Sequence, residues 1–170
     1  MSTGYERTVG RLQQLLKYRT ELETTFGKLG ADTLRDAARI MICHMEALQA
    51  DQQVNVTANE RQRIYAALNT VKSYCLDKPI TVYAIDFIKE FTLLMYNWNV
   101  NVNKNRTVEK DIRLIRNIIE MKTTIDESIQ LLKRLIEKAK RTANYMPPAF
   151  EMSKHYLQIL QRKIEAETED

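Results

Sequence analysis

Glycine stands only at positions 4, 10, 27 and 30 and proline only at 79, 147 and 148, so between residues 31 and 146 a single proline interrupts the chain. A sequence so poor in turn-making residues has few means of building a sheet, and the segments between its breaks are helical by default. With 170 residues, 44% hydrophobic and 28% charged, it lies far from the composition of chains that stay disordered. The fold class expected is all-α: about six helices in one domain spanning residues 1–170, long enough to bury a core without metal or disulfide staples.

The breaks can be placed from periodicity and caps. Tyr5, Val9, Leu12, Leu15, Leu16, Leu22, Phe26 and Leu29 trace an apolar stripe over a first helix, which the Gly27 to Gly30 stretch is expected to end. Leu34, Ala38, Met41, Met45 and Leu48 trace a second, with Asp32 or Thr33 as its cap. Thr57 and Glu60 spell a capping box before a third helix whose buried face is Ile64, Leu68, Val71 and Cys75, closed by the sequence LDKP. A fourth helix runs from about Ile80 to Asn97, although its β-branched and aromatic opening also suits a strand. A last helix is expected from near Pro148, burying Phe150, Leu157, Leu160 and Ile164 before an acidic, frayed tail at 165–170.

The longest element is predicted over residues 107–144, where Ile118, Ile125, Leu132 and Ala139 recur every seven positions. At 1.5 Å per residue such a helix reaches roughly 55 Å, more than a compact domain of this size needs to span its core. On a 3.6-residue helix its apolar centre drifts by about 100° from the Ile112 turn to the Ala139 turn, which favours left-handed, coiled-coil-like packing. The bundle is expected to be organised on this helix. Thr124 and Glu127 form a second T-x-x-E box inside it, so a break there is the competing reading.

One stretch departs from the helical period. In YNWNVNVNKN, Trp98, Val100 and Val102 alternate with asparagines at two-residue spacing. Asparagine tolerates left-handed backbone and hydrogen-bonds its neighbours, so residues 98–106 are expected to form an extended connection. Trp98, Val100 and Val102 would then face the bundle while the asparagine amides face water, and the unpaired backbone would offer an edge to a protein partner.

Residue types that carry catalysis or cofactor binding are not arranged for it. No phosphate-binding glycine motif and no C-x-x-C occurs, and the two histidines, His44 and His155, fall in different helices. Glu151 and His155 stand four apart without the further carboxylates of a di-iron bundle. Adjacent residues on a helix point about 100° apart, which argues against a thiolate–imidazole pair of Cys43 with His44. Cys43 and Cys75 both lie in apolar helical patterns and are expected as buried thiols, and His155 on a partly wet face. The methionines at 41, 45, 95, 121, 146 and 152 are expected mainly as core filler. No enzyme, cofactor or metal site is expected.

No apolar run is long enough for a membrane span, and the N-terminus lacks the pattern of a secretory signal, which points to an intracellular protein, cytoplasmic or within a large particle. The net charge of +4 includes four acidic groups in the tail and so leaves +8 on residues 1–164. The cations gather at the two ends of the long helix: Arg106, Lys110, Arg113 and Arg116 at its start, and Lys133, Arg134, Lys138, Lys140 and Arg141 at its end. The leading expectation is a non-enzymatic protein-protein interaction or assembly protein, binding a protein partner or a second copy of itself. The alternative is a nucleic-acid-binding protein that uses these two clusters, in a viral or ribonucleoprotein particle.

Overall fold

A computed structural model describes residues 4–141, 155–156, 158–163 and 166. It is all-α, with α1 Gly4–Leu16, α2 Arg19–Gln49, α3 Ala58–Asp77, α4 Val82–Trp98, a π-helical turn Asn99–Asn103 and α5 Arg106–Arg141. Residues 155–156, 158–163 and 166 are also helical. Of the last helix predicted from Pro148, residues 148–154, with Phe150, and also Leu157 and Ile164 lie outside the described residues, as do 142–144 of the long helix and most of the acidic tail.

Two helix starts follow from side-chain caps legible in the sequence. The Thr57 hydroxyl accepts from the Glu60 amide at 3.1 Å while the Glu60 carboxylate accepts from the Thr57 amide at 3.1 Å, the reciprocal pair of a capping box. Thr81 starts α4 in the same way, its hydroxyl accepting from the Ala84 amide at 3.1 Å. The β-branched opening of α4 therefore forms helix, not strand.

The first helices break elsewhere than expected. The chain turns at Lys17 and Tyr18, where the Lys17 amide reaches the Gln14 carbonyl and the Arg19 amide the Lys17 carbonyl. The signal was a gap in the stripe: residues 17–21, KYRTE, are all exposed and supply no core side chain between Leu16 and Leu22. Leu29, expected in the stripe, is 82% exposed. Downstream, α2 continues through Gly30, Asp32 and Thr33, so no cap forms there, and the Thr33 hydroxyl donates to the Leu29 carbonyl within the helix. Only Gly27 departs, with φ 79° and ψ 162°, a conformation essentially confined to glycine, and it kinks α2. At Gly30 a β-carbon would lie 3.2 Å from Phe26 Cβ and 3.4 Å from Thr70 Cγ2, so the missing side chain lets α2 approach α3 closely.

One core cluster draws on all five helices. α4, the most apolar of them, packs against α1, α2 and α5, and its Phe87, Phe91, Leu94, Met95 and Trp98 are fully buried. α2 also packs on α3, and α5 closes the bundle against α3 and α4. Met41, Met45 and Met95 fill the core as expected, whereas Met121 is 37% exposed. Cys75 is buried, but Cys43 faces outward, which corrects the expectation of two buried thiols; both are free. Burial pushes the Cys75 thiol up to about 12.

Candidate interaction surfaces

The asparagine stretch is helical, not extended. Residues 99–103 add a π-helical turn to α4, closed by the Lys104 amide on the Asn99 carbonyl at 2.6 Å, and Lys104 itself takes the left-handed conformation at φ 54°. Residues two apart on a helix face roughly opposite ways. Trp98 is therefore fully buried, Val102 packs partly against the core four residues on, and Val100 is 48% exposed on the other side. The three do not share a face and present no strand edge.

The asparagines supply what the backbone gives up at this junction. Asn99, itself buried, accepts at Oδ1 from Asn103 Nδ2 at 3.0 Å and from the Asn105 amide at 3.1 Å, and donates from Nδ2 to the Asn105 carbonyl at 3.0 Å. Asn105 Oδ1 accepts from the amides of Thr107 at 2.8 Å and Val108 at 3.2 Å, capping α5. Asn103 ties the turn to α3, donating to Tyr65 Oη and accepting from Arg61 Nε. This polar cluster fixes the angle at which α5 leaves α4.

Trp98 holds the other side of the turn. Its indole donates to His44 Nδ1 at 3.0 Å, and His44 Nε2 lies 3.3 Å from Glu60 Oε2. An indole N–H can only donate, so Nδ1 is the accepting nitrogen and the ring proton sits on Nε2, directed at Glu60. The Thr57 amide, with His44, holds the Glu60 carboxyl below its ordinary range. Both ring nitrogens are thus engaged away from Cys43, and no Cys43–His44 pair forms. His155 lies on an exposed helical face. Among the described residues no three His, Cys, Asp or Glu side chains gather as a metal site, and no helix is long and apolar enough to cross a membrane.

α5 runs unbroken past Thr124, so the second T-x-x-E box starts no helix. Val108, Ile112, Ile115, Ile118 and Ile119 belong to the main core. Lys122, buried at 3% exposure, donates its ammonium to the Cys75 and Lys78 carbonyls at the end of α3 and marks where the helix leaves it. Beyond that point Ile129 and Ile136 are buried but lie outside the main core cluster, and Leu131 and Leu135 are 52% and 51% exposed.

The predicted cations divide along this helix. Arg106, Lys110, Arg113 and Arg116 are all exposed; Arg113 pairs with Glu109 at 2.6 Å, and Arg116 lines a groove between α4 and α5. At the far end Lys133, Arg134, Lys138 and Arg141 line one shallow groove with Glu137, while Lys140 stands 4.0 Å from that glutamate. A further group of cations, Lys17 in the turn after α1 and Arg19, Arg35 and Arg39 of α2, lines a groove between α1 and α2 and was missed, because the pairs 17/19 and 35/39 stand sixteen or more residues apart in the sequence.

Comparison of the chain with models of protein families, with curated proteins and with solved structures finds no match.

Proposed function

We propose that this chain is a non-enzymatic interaction or assembly protein whose partner surface is the distal half of α5. The observation that carries this reading is the 22-residue run from Glu120 to Arg141, which continues the helix for about 33 Å beyond the last main-core residue, Ile119. Half-exposed Leu131 and Leu135 lie one turn apart on it, flanked by basic side chains, a pattern suited to a second helix laid alongside. A second copy of the chain or another helical protein would fit it. Two free cysteines agree with an intracellular setting, where disulfides are rare.

Light scattering over a concentration series, with the wild type beside Leu131→Ser/Leu135→Ser, tests this. A dimer or larger species that the double variant reduces to monomer supports self-association. A monomer at every concentration, joined to no partner retained by wild type over the variant, removes the reading.

A nucleic-acid-binding role is the second reading, favoured by the groove that collects Lys133, Arg134, Lys138 and Arg141 on one side of the helix. It requires affinity for RNA or DNA that falls steeply with salt. Replacing these four by alanine should then flatten the slope of log affinity against log salt by up to about 3 to 4. Binding that is absent or insensitive to salt excludes it.

A further inference from the structure

We infer that the groove between the end of α1 and the flank of α2 is a binding site for a small anion of the phosphate class, independent of the surface on α5. The groove is about 280 Å³ and is lined by Lys17, Arg19, Arg35 and Arg39 over an apolar floor that includes Leu16 and Ile42; no carboxylate lines it. Four cations without an acid among them repel one another, and an anion of two or more charges relieves that repulsion.

Arg35 makes the demand specific. Its side chain is only 17% exposed, and its Nη2 is fully buried with no hydrogen-bond partner. A guanidinium nitrogen left in this state is costly, and the group calls for a counter-ion. The acids nearby supply it only in part. Asp32 approaches Arg35 Nη1 only to 3.8 Å and is itself 64% exposed. Asp36, which lies near Arg39, is held by the fork of Arg63, with Nε to Oδ2 at 2.7 Å and Nη2 on the other oxygen, and this bond keeps its carboxyl below the ordinary range. Glu21 and Arg35 act in opposite senses on the Tyr83 hydroxyl, and Glu21 does not line the groove.

The backbone around the site has the same sense. At the end of α1 the exposed carbonyls are occupied: that of Leu15 accepts from the Tyr18 amide and the Tyr83 hydroxyl, and that of Lys17 from the Arg19 amide. The N-terminus of α2, at the groove's rim beside Arg19, has no side-chain cap on its amides. Glu21, in the first turn of α2, offsets part of the positive charge at this end, so the cationic side chains carry the site. Guanidinium forks bind phosphate oxygens in pairs, which favours this class over halide.

The test uses the full chain with sodium pyrophosphate, against sodium chloride at matched ionic strength, read by calorimetric titration and thermal melts. In parallel, co-sedimentation is measured with phosphatidylcholine vesicles with or without phosphatidylinositol 4-phosphate. Pyrophosphate is expected to bind and to raise the melting midpoint; binding confined to the phosphoinositide vesicles supports the site with a lipid headgroup as the phosphate source. Arg35→Met should abolish either response while raising the midpoint in plain buffer by roughly 3 °C, because the uncompensated charge is gone. Arg19→Ala/Arg39→Ala, at exposed positions, should weaken binding about tenfold or more with the midpoint in buffer unchanged. Lys133→Ala/Arg134→Ala/Lys138→Ala/Arg141→Ala should bind as wild type. No response to either probe, a response retained in the groove variants, or one lost in the α5 variant would overturn the assignment.

Discussion

The two halves of α5 carry the same kind of apolar repeat, yet they stand in different surroundings. From Val108 to Ile119 the stripe lies in the main core, pressed between α3 and α4. From Thr123 to Arg141 the stripe continues through Ile129 and Ile136 outside that core, and leucines at 131 and 135 face solvent. Lys122 stands between the halves, its ammonium spent on two α3 carbonyls. A heptad pattern thus specifies a helix and a face, but what the face meets depends on where the neighbouring helices end.

The sharpest way to break this contrast is to shorten an apolar side chain in each half. Ile112→Ala is expected to cost about 3 kcal/mol in urea unfolding, the usual toll of an Ile-sized cavity in a packed core. Leu135→Ala should stay within about 0.5 kcal/mol for the isolated chain. Equal losses would show that the distal half is as much a part of the folding core as the proximal half.

The boundary itself comes next. Lys122→Ala leaves the carbonyl of buried Cys75, and that of Lys78 beside it, without this donor and is expected to cost about 2 kcal/mol, whereas Lys133→Ala, at an exposed position, should be near neutral. Lys122→Met, which keeps the stem but not the donor, separates packing from capping. If it unfolds at the wild-type denaturant concentration, the hydrogen bonds contribute nothing net.

Burial governs the response to alkali. Cys75, Tyr5 and Tyr83 are all pushed up to about 12, first by burial, from ordinary values of 9.0 for the thiol and 10.0 for the phenols. Between pH 9 and 12 the unfolded chain has released these protons while the folded chain keeps them, so stability is whole below pH 9 and falls as the pH climbs. Cys75→Ala should make the decline start nearer pH 10, as seen in melts at stepped pH. An unchanged onset would assign the alkaline loss to the tyrosines.

A smaller effect is expected at the turn that aims α5. Lys104 is held left-handed at φ 54°, where a β-carbon is disfavoured. Lys104→Gly relieves that strain but adds freedom to the unfolded chain, leaving a change within about 1 kcal/mol. A larger loss would mean that the lysine side chain, and not its backbone, secures the turn.

Much of this molecule is legible before any coordinates. The capping box at Thr57 and Glu60, the run of α4, the length of α5 and its freedom from a break-forming glycine or proline all follow from local chemistry. The misplaced features share a different origin. At Lys17 and Tyr18 no breaker residue announces the turn, and only the missing core position between Leu16 and Leu22 hints at it. The asparagine stretch reads as period two, yet its side chains make the hydrogen bonds that let a π-helical turn replace the extended connection. The anion groove escaped detection because Lys17 and Arg35 are eighteen residues apart and meet through the packing of α1 on α2.

By itself the sequence determined the all-α class and the course of α3, α4 and α5, since periodicity and caps act between residues three or four apart and need no distant partner. The tertiary structure alone decided that the indole of Trp98 meets His44, that Lys122 is buried, that Arg35 lacks a full counter-charge, and where α5 leaves the main core. Each of these depends on which groups from remote segments arrive at one place, and burial and hydrogen bonding are properties of that meeting, not of either segment.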